Sequence, residues 1–399
     1  MSDHTQRLPW DVTEMAVAGL LANVMRRTFE LQDPQQARLL PMEGLRGFAV
    51  TLVFLHHYTV QSQLIGLPPG ATSSFAAIFR TYGNLGVELF FVLSGYLIYG
   101  TLVRKAPSCI QFIARRYQRI YPAFLVVFAF ALALTVLVPD PGKIPGGVWP
   151  ATAYLVANLA LIPGIVPMVR IVDVAWSLSY EMFFYFATSA LVLGFGLTRL
   201  YAGRRIVILS ALTLAFIAAS FFHIPDFPVR MLPFFAGMLL AEGVGERVPA
   251  WAGWLAPLGA FAAGGAGLLS GLLGELAHTA AFFALCAVCF REEGLVSAAM
   301  AWTPLRWLGN MSYSYYLVHG FVVRAAMVVI GKVLHGPMPA VLFWVLIPAL
   351  YVATLAVSSL LFVLVEKPFS LRPTLSRAMA YPSGWAAGLR QALRQTGQD

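Results

Sequence analysis

Apolar stretches over residues 47–64, 84–103, 120–138, 175–197, 206–224, 229–243, 251–273, 275–290, 312–333 and 339–365 dominate this chain. A helix that crosses the roughly 30 Å hydrocarbon layer of a bilayer needs about 20 mostly apolar residues. Inside that layer a helix satisfies its own backbone hydrogen bonds, so runs of this length read as spanning helices. The expected fold class is an all-α polytopic membrane protein with about ten transmembrane helices. Composition points the same way: 59% of the 399 residues are hydrophobic and 11% are charged, against about a quarter charged in soluble domains. No polar block is large enough for a separate soluble domain.

The basic residues orient the chain, because cytoplasmic loops are enriched in Lys and Arg. Residues 104–119 carry Arg104, Lys105, Arg115, Arg116 and Arg119 without an acid and are expected in the cytoplasm as a loop. An eleventh stretch, "ATAYLVANLALIPGIVP" at 151–167, is short and bounded by Pro and Gly. If it lies at the outer interface rather than spanning, Arg199, Arg204 and Arg205 also fall inside, and both termini are cytoplasmic. The net charge of +9 is then mostly topological and calls for no nucleic acid. Three regions are expected: residues 1–40 as a cytoplasmic segment with a short amphipathic helix in "TEMAVAGLLANVMRRTFEL", 41–370 as the transmembrane domain, and 371–399 as a polar cytoplasmic tail. The arginine pair Arg26-Arg27 after a short apolar run, with no small-residue cleavage site, does not read as a secretory signal.

Three cysteines form no disulfide scaffold. Cys286 and Cys289 make a CxxC spacing inside the apolar run "TAAFFALCAVCF", where packing is the expected role. The seven histidines show no paired metal-ligand spacing, so no metal is expected.

Ionisable groups within a bilayer cost about 2.5–3.5 kcal/mol on insertion scales and tend to mark a pathway or a site. Here they are His56, His57, Glu88, Glu181, His319 and Arg324, with Arg46 at the inner mouth. Arg46 and His57 return to nearly one helix face at 100° per residue and stand roughly 16 Å apart along the axis. His56 points about 100° away. Glu88 and Glu181 each lie roughly 6–9 Å below the start of their helices, in the outer half. Two readings stay open for this set: a polar route across the membrane, or an acid–base cluster that holds the bundle together. Arg115, Arg116 and Arg119 in "FIARRYQRIYP" likewise serve either topology or an anion site, since guanidinium forks bind phosphate in pairs of hydrogen bonds.

The segments "EGLRGFAVTLVFLHH", "GVELFFVLSGYLI", "RRYQRIYP", "WSLSYEMFFY", "MLPFFAGMLL", "LGNMSYSYYLVH" and "VEKPF" occur in this order. Together they resemble the membrane-bound acyltransferase-3 family of bacterial glycan O-acyltransferases, over about residues 38–370. The resemblance implies catalytic roles for His57, Arg46 and Glu181. It implies acyl-CoA binding by Arg46, Arg115, Arg116 and Arg119, and an acceptor site or tunnel at Glu88, Ser94, Trp176, Ser179, Tyr180 and His319. The family's arginine–histidine motif falls on Arg46 and His57, its arginine motif on Arg116 and Arg119, and its WSLSxE motif on Trp176 to Glu181. Two departures stand out: Glu43 replaces the usual Asp, and Met182 replaces a frequent second acid, both read as tuning of an acceptor or charge site. The chain resembles a stand-alone form without the hydrolase-like domain that many relatives carry.

The implied activity is transfer of an acyl group, acetyl as the expected case, from cytoplasmic acyl-CoA to a hydroxyl of a surface or lipid-linked glycan at the inner membrane. Acyl-CoA is then a co-substrate and no bound cofactor is expected. A histidine with an ordinary pKa of about 6.5 suits a general base near neutral pH. The rival classes are a transporter or flippase, and an assembly subunit of a polysaccharide export system. A transporter predicts internal repeats, and none is evident.

Overall fold

The computed structural model describes residues 23–30, 39–138, 143–222 and 227–370. Among these the chain is helical and contains no strand. The helices are α1 (23–29), α2 (Leu40–Ser62), α3 (Ala71–Tyr82), α4 (Leu85–Lys105), α5 (Cys109–Leu137), α6 (Val148–Leu159), α7 (Trp176–Ser189) and α8 (Ala202–Ala219). They continue as α9 (Phe227–Ala241), α10 (Ala252–Gly265), α11 (Gly271–Phe290), α12 (Gly294–Met300), α13 (Thr303–Asn310), α14 (Ser312–Val333), α15 (Ala340–Leu361) and α16 (Lys367–Ser370). Much of the expected amphipathic helix, and the whole of the expected tail, lie outside the described residues.

Among the described residues, six helical stretches are long and apolar enough to cross a membrane: Ala71–Lys105, Cys109–Leu137, Ala202–Phe222, Gly271–Phe290, Ser312–Val333 and Ala340–Ser370. Phe227–Ala241 is apolar but shorter. Helix α2 has the length, at 23 residues, but carries Glu43, Arg46, His56 and His57. The protein is therefore a multi-pass membrane protein. Helix α6, with 12 residues, covers about 18 Å at 1.5 Å per residue, too little to cross the hydrocarbon layer.

The structure corrects several sequence expectations. The basic stretch 104–119 is not a loop: α4 runs through Lys105 and α5 starts at Cys109, capped by Ser108 Oγ accepting from the Gln111 amide at 3.3 Å. Arg116 and Arg119 thus sit about two and three turns into a 29-residue helix that is long and apolar enough to cross a membrane. Helix α3, with only Thr72 and Ala76 buried, precedes α4 where a loop was expected, because its apolar residues are too few to register as a span. The expected spans at 175–197 and 251–273 correspond to shorter helices. The first is α7 followed by a π turn over Ala190–Gly194; the second is α10, of 14 residues.

Two pairs of glycines let helices touch backbone to backbone. A Cβ built on Gly95 of α4 would lie 2.1 Å from the Phe234 carbonyl oxygen, and one on Gly237 of α9 would lie 2.0 Å from the Val92 carbonyl oxygen. On α2, a Cβ at Gly44 would fall 1.6 Å from the Met300 oxygen, and one at Gly309 of α13 would fall 1.7 Å from the Glu43 oxygen. Small residues at such crossings are the usual means of tight helix association in lipid, where burial of apolar surface gives no driving force. Helix α2 is the hub, packed on α3, α4, α13 and α14. Its buried face joins α4, α5, α7, α9, α14 and α15 in the main core through Val50, Phe54, Phe91, Phe124, Phe184, Phe234, Tyr315 and Phe343. A second core at α4, α9 and α11 holds Cys286 and Cys289, both buried and unpaired. Helix α8 buries only Leu209, as expected of a helix that faces lipid.

Candidate active site

A cavity lies between α2, α4, α5, α7 and α14. Its polar lining is Arg46, Ser94, Arg116, Arg119, Ser177, Glu181, Tyr185, Ser312, Tyr313 and Tyr316; the rest is apolar, with Val87, Phe90, Phe91, Leu97, Ile98 and Leu178. Each helix delivers its residues by its period. On α7, Ser177, Glu181 and Tyr185 are four residues apart and form one stripe. On α5, Arg116 and Arg119 share a face, whereas Arg115, turned about 100° away, is exposed.

The arginines are held without being neutralised. Arg46 donates from Nε (3.3 Å) and from Nη2 (3.1 Å) to Ser312 Oγ at the start of α14. Arg116 lays its guanidinium over the rings of Phe112 (5.2 Å) and Tyr185 (5.7 Å), and its buried Nε has no hydrogen-bond partner. Opposite them, Glu181 Oε1 accepts the Tyr185 hydroxyl and, at 3.4 Å, the Ser94 hydroxyl. Three guanidiniums face Glu181 across this cavity, and with Glu366 acting on Arg46 and Arg119 from behind the wall the positive charge is still in excess, so the cavity favours an anion. Behind the wall, the buried carboxylate of Glu366 accepts from the amide (3.0 Å) and the hydroxyl (2.6 Å) of Ser314. This acid, in the π turn Phe362–Glu366 that ends α15, caps the first turn of α14, where a helix N-terminus favours negative charge. Tyr313 completes the anchoring by donating to the Ile120 carbonyl at 2.8 Å.

The structure brings together Arg46, Arg116, Arg119, Ser94 and Glu181, but it does not place the other sequence candidates in the cavity. His57 lies beyond the wall, half-buried, with its ring 4.7 Å from His319 and 5.1 Å from His56. Tyr316 stands between: its side chain lines the cavity, while its carbonyl oxygen lies 2.6 Å from His319 Nδ1. The Tyr316 hydroxyl donates to the Val174 carbonyl (2.8 Å) and contacts Ser177 Oγ (2.8 Å). Glu88 turns away from Glu181 toward Glu275 of α11 and Arg230 of α9. Trp176 carries the Arg230 guanidinium at 4.6 Å over its ring. Ser179 Oγ accepts the Gly164 amide at 3.0 Å, and Tyr180 packs on Phe91 and Phe227. Arg324 is exposed and pairs with Asp173 at 3.8 Å. Glu43 also lies outside the cavity, with Oε2 3.1 Å from Arg306 Nε and 3.5 Å from Asn310 Nδ2, so its carboxylate joins α2 to α13.

Sequence reasoning missed Tyr185, Ser312, Tyr313, Tyr316 and Glu366. Tyr185 was within reach, one turn beyond Glu181 on the same face. The others stand in the quoted segments "LGNMSYSYYLVH" and "VEKPF", where hydroxyls and an acid interrupt apolar runs. Among the described residues, no group of three or more His, Cys, Asp or Glu is placed to hold a metal.

This arrangement can be set beside known proteins. A family profile described as "Acyltransferase domain" matches residues 41–363. The acyltransferase MdmB of Streptomyces mycarofaciens is 26% identical over 329 residues, covering 73% of this chain and 80% of that protein. The exopolysaccharide production protein ExoZ of Rhizobium meliloti is 29% identical over 329 residues, covering 77% and 96%. The O-acetyltransferase OatA of Staphylococcus aureus is 30% identical over 113 residues, which is 27% of this chain and 16% of that protein. No solved structure matches. The profile spans the helices that build the cavity, from the arginine-bearing α2 to the end of α15, and the chain belongs to the acyltransferase-3 family of membrane acyltransferases.

Proposed function

We propose that this protein transfers an acyl group, acetyl as the expected case, from cytoplasmic acyl-CoA to a hydroxyl of a surface or lipid-linked glycan. The observation that carries the reading is the cavity in which Arg46, Arg116 and Arg119 converge on one carboxylate–tyrosine pair beside an apolar wall. CoA offers phosphates to guanidiniums and an extended arm to the apolar part of the cavity wall. The names of two relatives, one a protein of exopolysaccharide production and one an O-acetyltransferase, favour a glycan hydroxyl as acceptor.

In this reading the chain spans the inner membrane ten times with both termini in the cytoplasm, and the three cavity arginines face the donor side. Arg46, Arg116 and Arg119 hold the donor, with Arg115 outside the cavity on the exposed face of α5. Glu181, oriented by Tyr185 and Ser94, directs the reacting groups. His57 lies outside the donor cavity, as befits a base that acts on the acceptor. The hydroxyl approaches from the far side of Tyr316, gives its proton to His57 and attacks the thioester carbonyl. The thiolate leaves and takes the proton. Glu88, Trp176, Ser179, Tyr180 and His319 then belong to the acceptor side or to its framework.

Purified protein incubated with labelled acetyl-CoA and a surface-glycan extract tests the reading. Label should move to the glycan, and release of free CoA should follow. Replacing Arg116 and Arg119 with Gln should raise the KM for acetyl-CoA at least tenfold, since hydrogen bonds to charged groups contribute about 1.5–3 kcal/mol each. Movement of glycan or lipid across the bilayer without acyl transfer would replace this reading with a transporter.

A further inference from the structure

His319 on α14 is fully buried, and its ring has an unusual balance of partners. Nδ1 lies 2.6 Å from the Tyr316 carbonyl oxygen. A carbonyl only accepts, so the proton of the neutral ring sits on Nδ1 and Nε2 keeps a bare lone pair. That Nε2 is buried and has no hydrogen-bond donor. Buried acceptors are almost always satisfied, and one left bare is costly.

The surrounding groups narrow the choice of donor. The Tyr316 hydroxyl is committed to the Val174 carbonyl and to Ser177. The Tyr315 ring lies parallel to that of His319 at 6.4 Å and 11°, and its buried hydroxyl is directed to Thr354 of α15 rather than to the imidazole. His56 is the outer member of the group, 5.1 Å from His57 and beside the Phe79 and Arg80 carbonyls of α3. The His57 ring is the nearest to His319, at 4.7 Å and 71°. Both residues are carried by neighbouring helices: α2 and α14 run side by side, tied at their starts by Arg46 and Ser312, with the rings of His57 and His319 facing each other further along.

We propose that His319 is the positioning residue for His57: its Nε2 lone pair, unpartnered in this structure, takes the N–H of the facing His57 ring when the acceptor binds, and thereby leaves the opposite nitrogen of His57 unprotonated for the acceptor hydroxyl. The inference rests on the reading of His57 as the base. An imidazole with one nitrogen donating to a fixed acceptor has its other nitrogen free to take a proton. In the step itself, the hydroxyl O–H bond breaks as the new O–C bond forms, and the proton goes to the free nitrogen of His57. The C–S bond then breaks and that proton passes to the sulfur, giving the free thiol. During this step His319 accepts the hydrogen bond from His57 and neither gains nor loses a proton.

The test is a double-mutant cycle on the full chain in membrane vesicles, with labelled acetyl-CoA and glycan acceptor, at matched protein levels. His319→Phe should lower kcat about 10–100-fold, the loss known for the hydrogen-bond partners that orient metal-bound histidines, with the KM for acetyl-CoA unchanged. His319→Gln, which restores an acceptor oxygen, should recover most of the loss. In a His57→Gln background, His319→Phe should cost nothing further, because two residues acting as one unit are non-additive. An equal loss in both backgrounds would make His319 a packing residue and overturn the proposal, as would a wild-type kcat in His319→Phe. Near-normal turnover by His57→Gln alone would instead remove the base reading and this proposal with it, and that arm is read separately. Should His319→Phe fail to accumulate, His319→Leu runs the same cycle.

Discussion

At the scale of single residues, His56 and His57 differ by direction alone. His57 turns toward α14 and His319, and His56 toward α3. Removing a general base typically costs 10²–10⁴ in turnover. His57→Gln keeps size and polarity but takes no proton, so a loss of that order is expected in the acetyl-CoA assay. His56→Ala should lower turnover less, and only in step with protein level. Glu43 makes a contrasting case. Its carboxylate bonds Arg306 and Asn310 outside the cavity. Glu43→Gln should destabilise the fold by about 1.5–3 kcal/mol, the usual contribution of a charge-assisted bond. The KM for acetyl-CoA should stay unchanged, as kinetics on the folded fraction would report.

At the scale of elements, the crossing of α4 and α9 positions the cavity. Gly95 follows Ser94, the residue that bonds Glu181, and a methyl group there has no room beside the Phe234 carbonyl. Gly95→Ala must push the helices apart, and overpacking of this kind costs about 1–3 kcal/mol. A lower melting temperature in detergent is expected, with a larger fall in kcat than Gly259→Ala causes, because nothing lies within 4 Å of a Cβ at Gly259. Helix α1 is tied down by a second device. Lys367 Nζ donates to the Arg27 and Thr28 carbonyls at 2.6 Å, Asn310 donates to the Phe29 carbonyl at 3.0 Å, and the Phe29 ring stacks on Phe362. A cation on the last carbonyls of a helix complements its dipole. Phe29→Ala should release this segment, seen as faster tryptic cleavage at Arg26 and Arg27.

At the scale of the whole molecule, the orientation proposed from charge is open to direct labelling. Cys109, at the start of α5, is exposed, whereas Cys286 and Cys289 are buried. In intact spheroplasts a membrane-impermeant maleimide should leave the wild-type protein unlabelled and mark Cys109 only after permeabilisation. Trp149 is 84% exposed at the start of α6. In Trp149→Cys, label should attach without permeabilisation. Labelling of Cys109 in intact cells would reverse the donor side and with it the assignment of the arginines.

The sequence by itself determined the class of molecule, because a bilayer acts on each segment locally. A run of about 20 apolar residues is readable without knowing its neighbours, and so is the one-face relation of Arg46 and His57, which belongs to a single helix. Segments whose polar residues face other helices were harder. Helix α2 is legible by length but mixed in composition, and α3, α12 and α13 carry too little apolar sequence to register. The site was legible in its ingredients: Arg46, Arg116, Arg119, Ser94 and Glu181 could be named in advance. Only the tertiary structure decided which of them meet. Convergence depends on how each helix is rotated about its axis, and that rotation is set by contacts between distant residues, such as Gly95 against Phe234 and Gly309 against Glu43. The same rotations turned Glu88 toward Glu275, brought Tyr185 and Ser312 into the cavity, and placed Tyr316 between the cavity and His319.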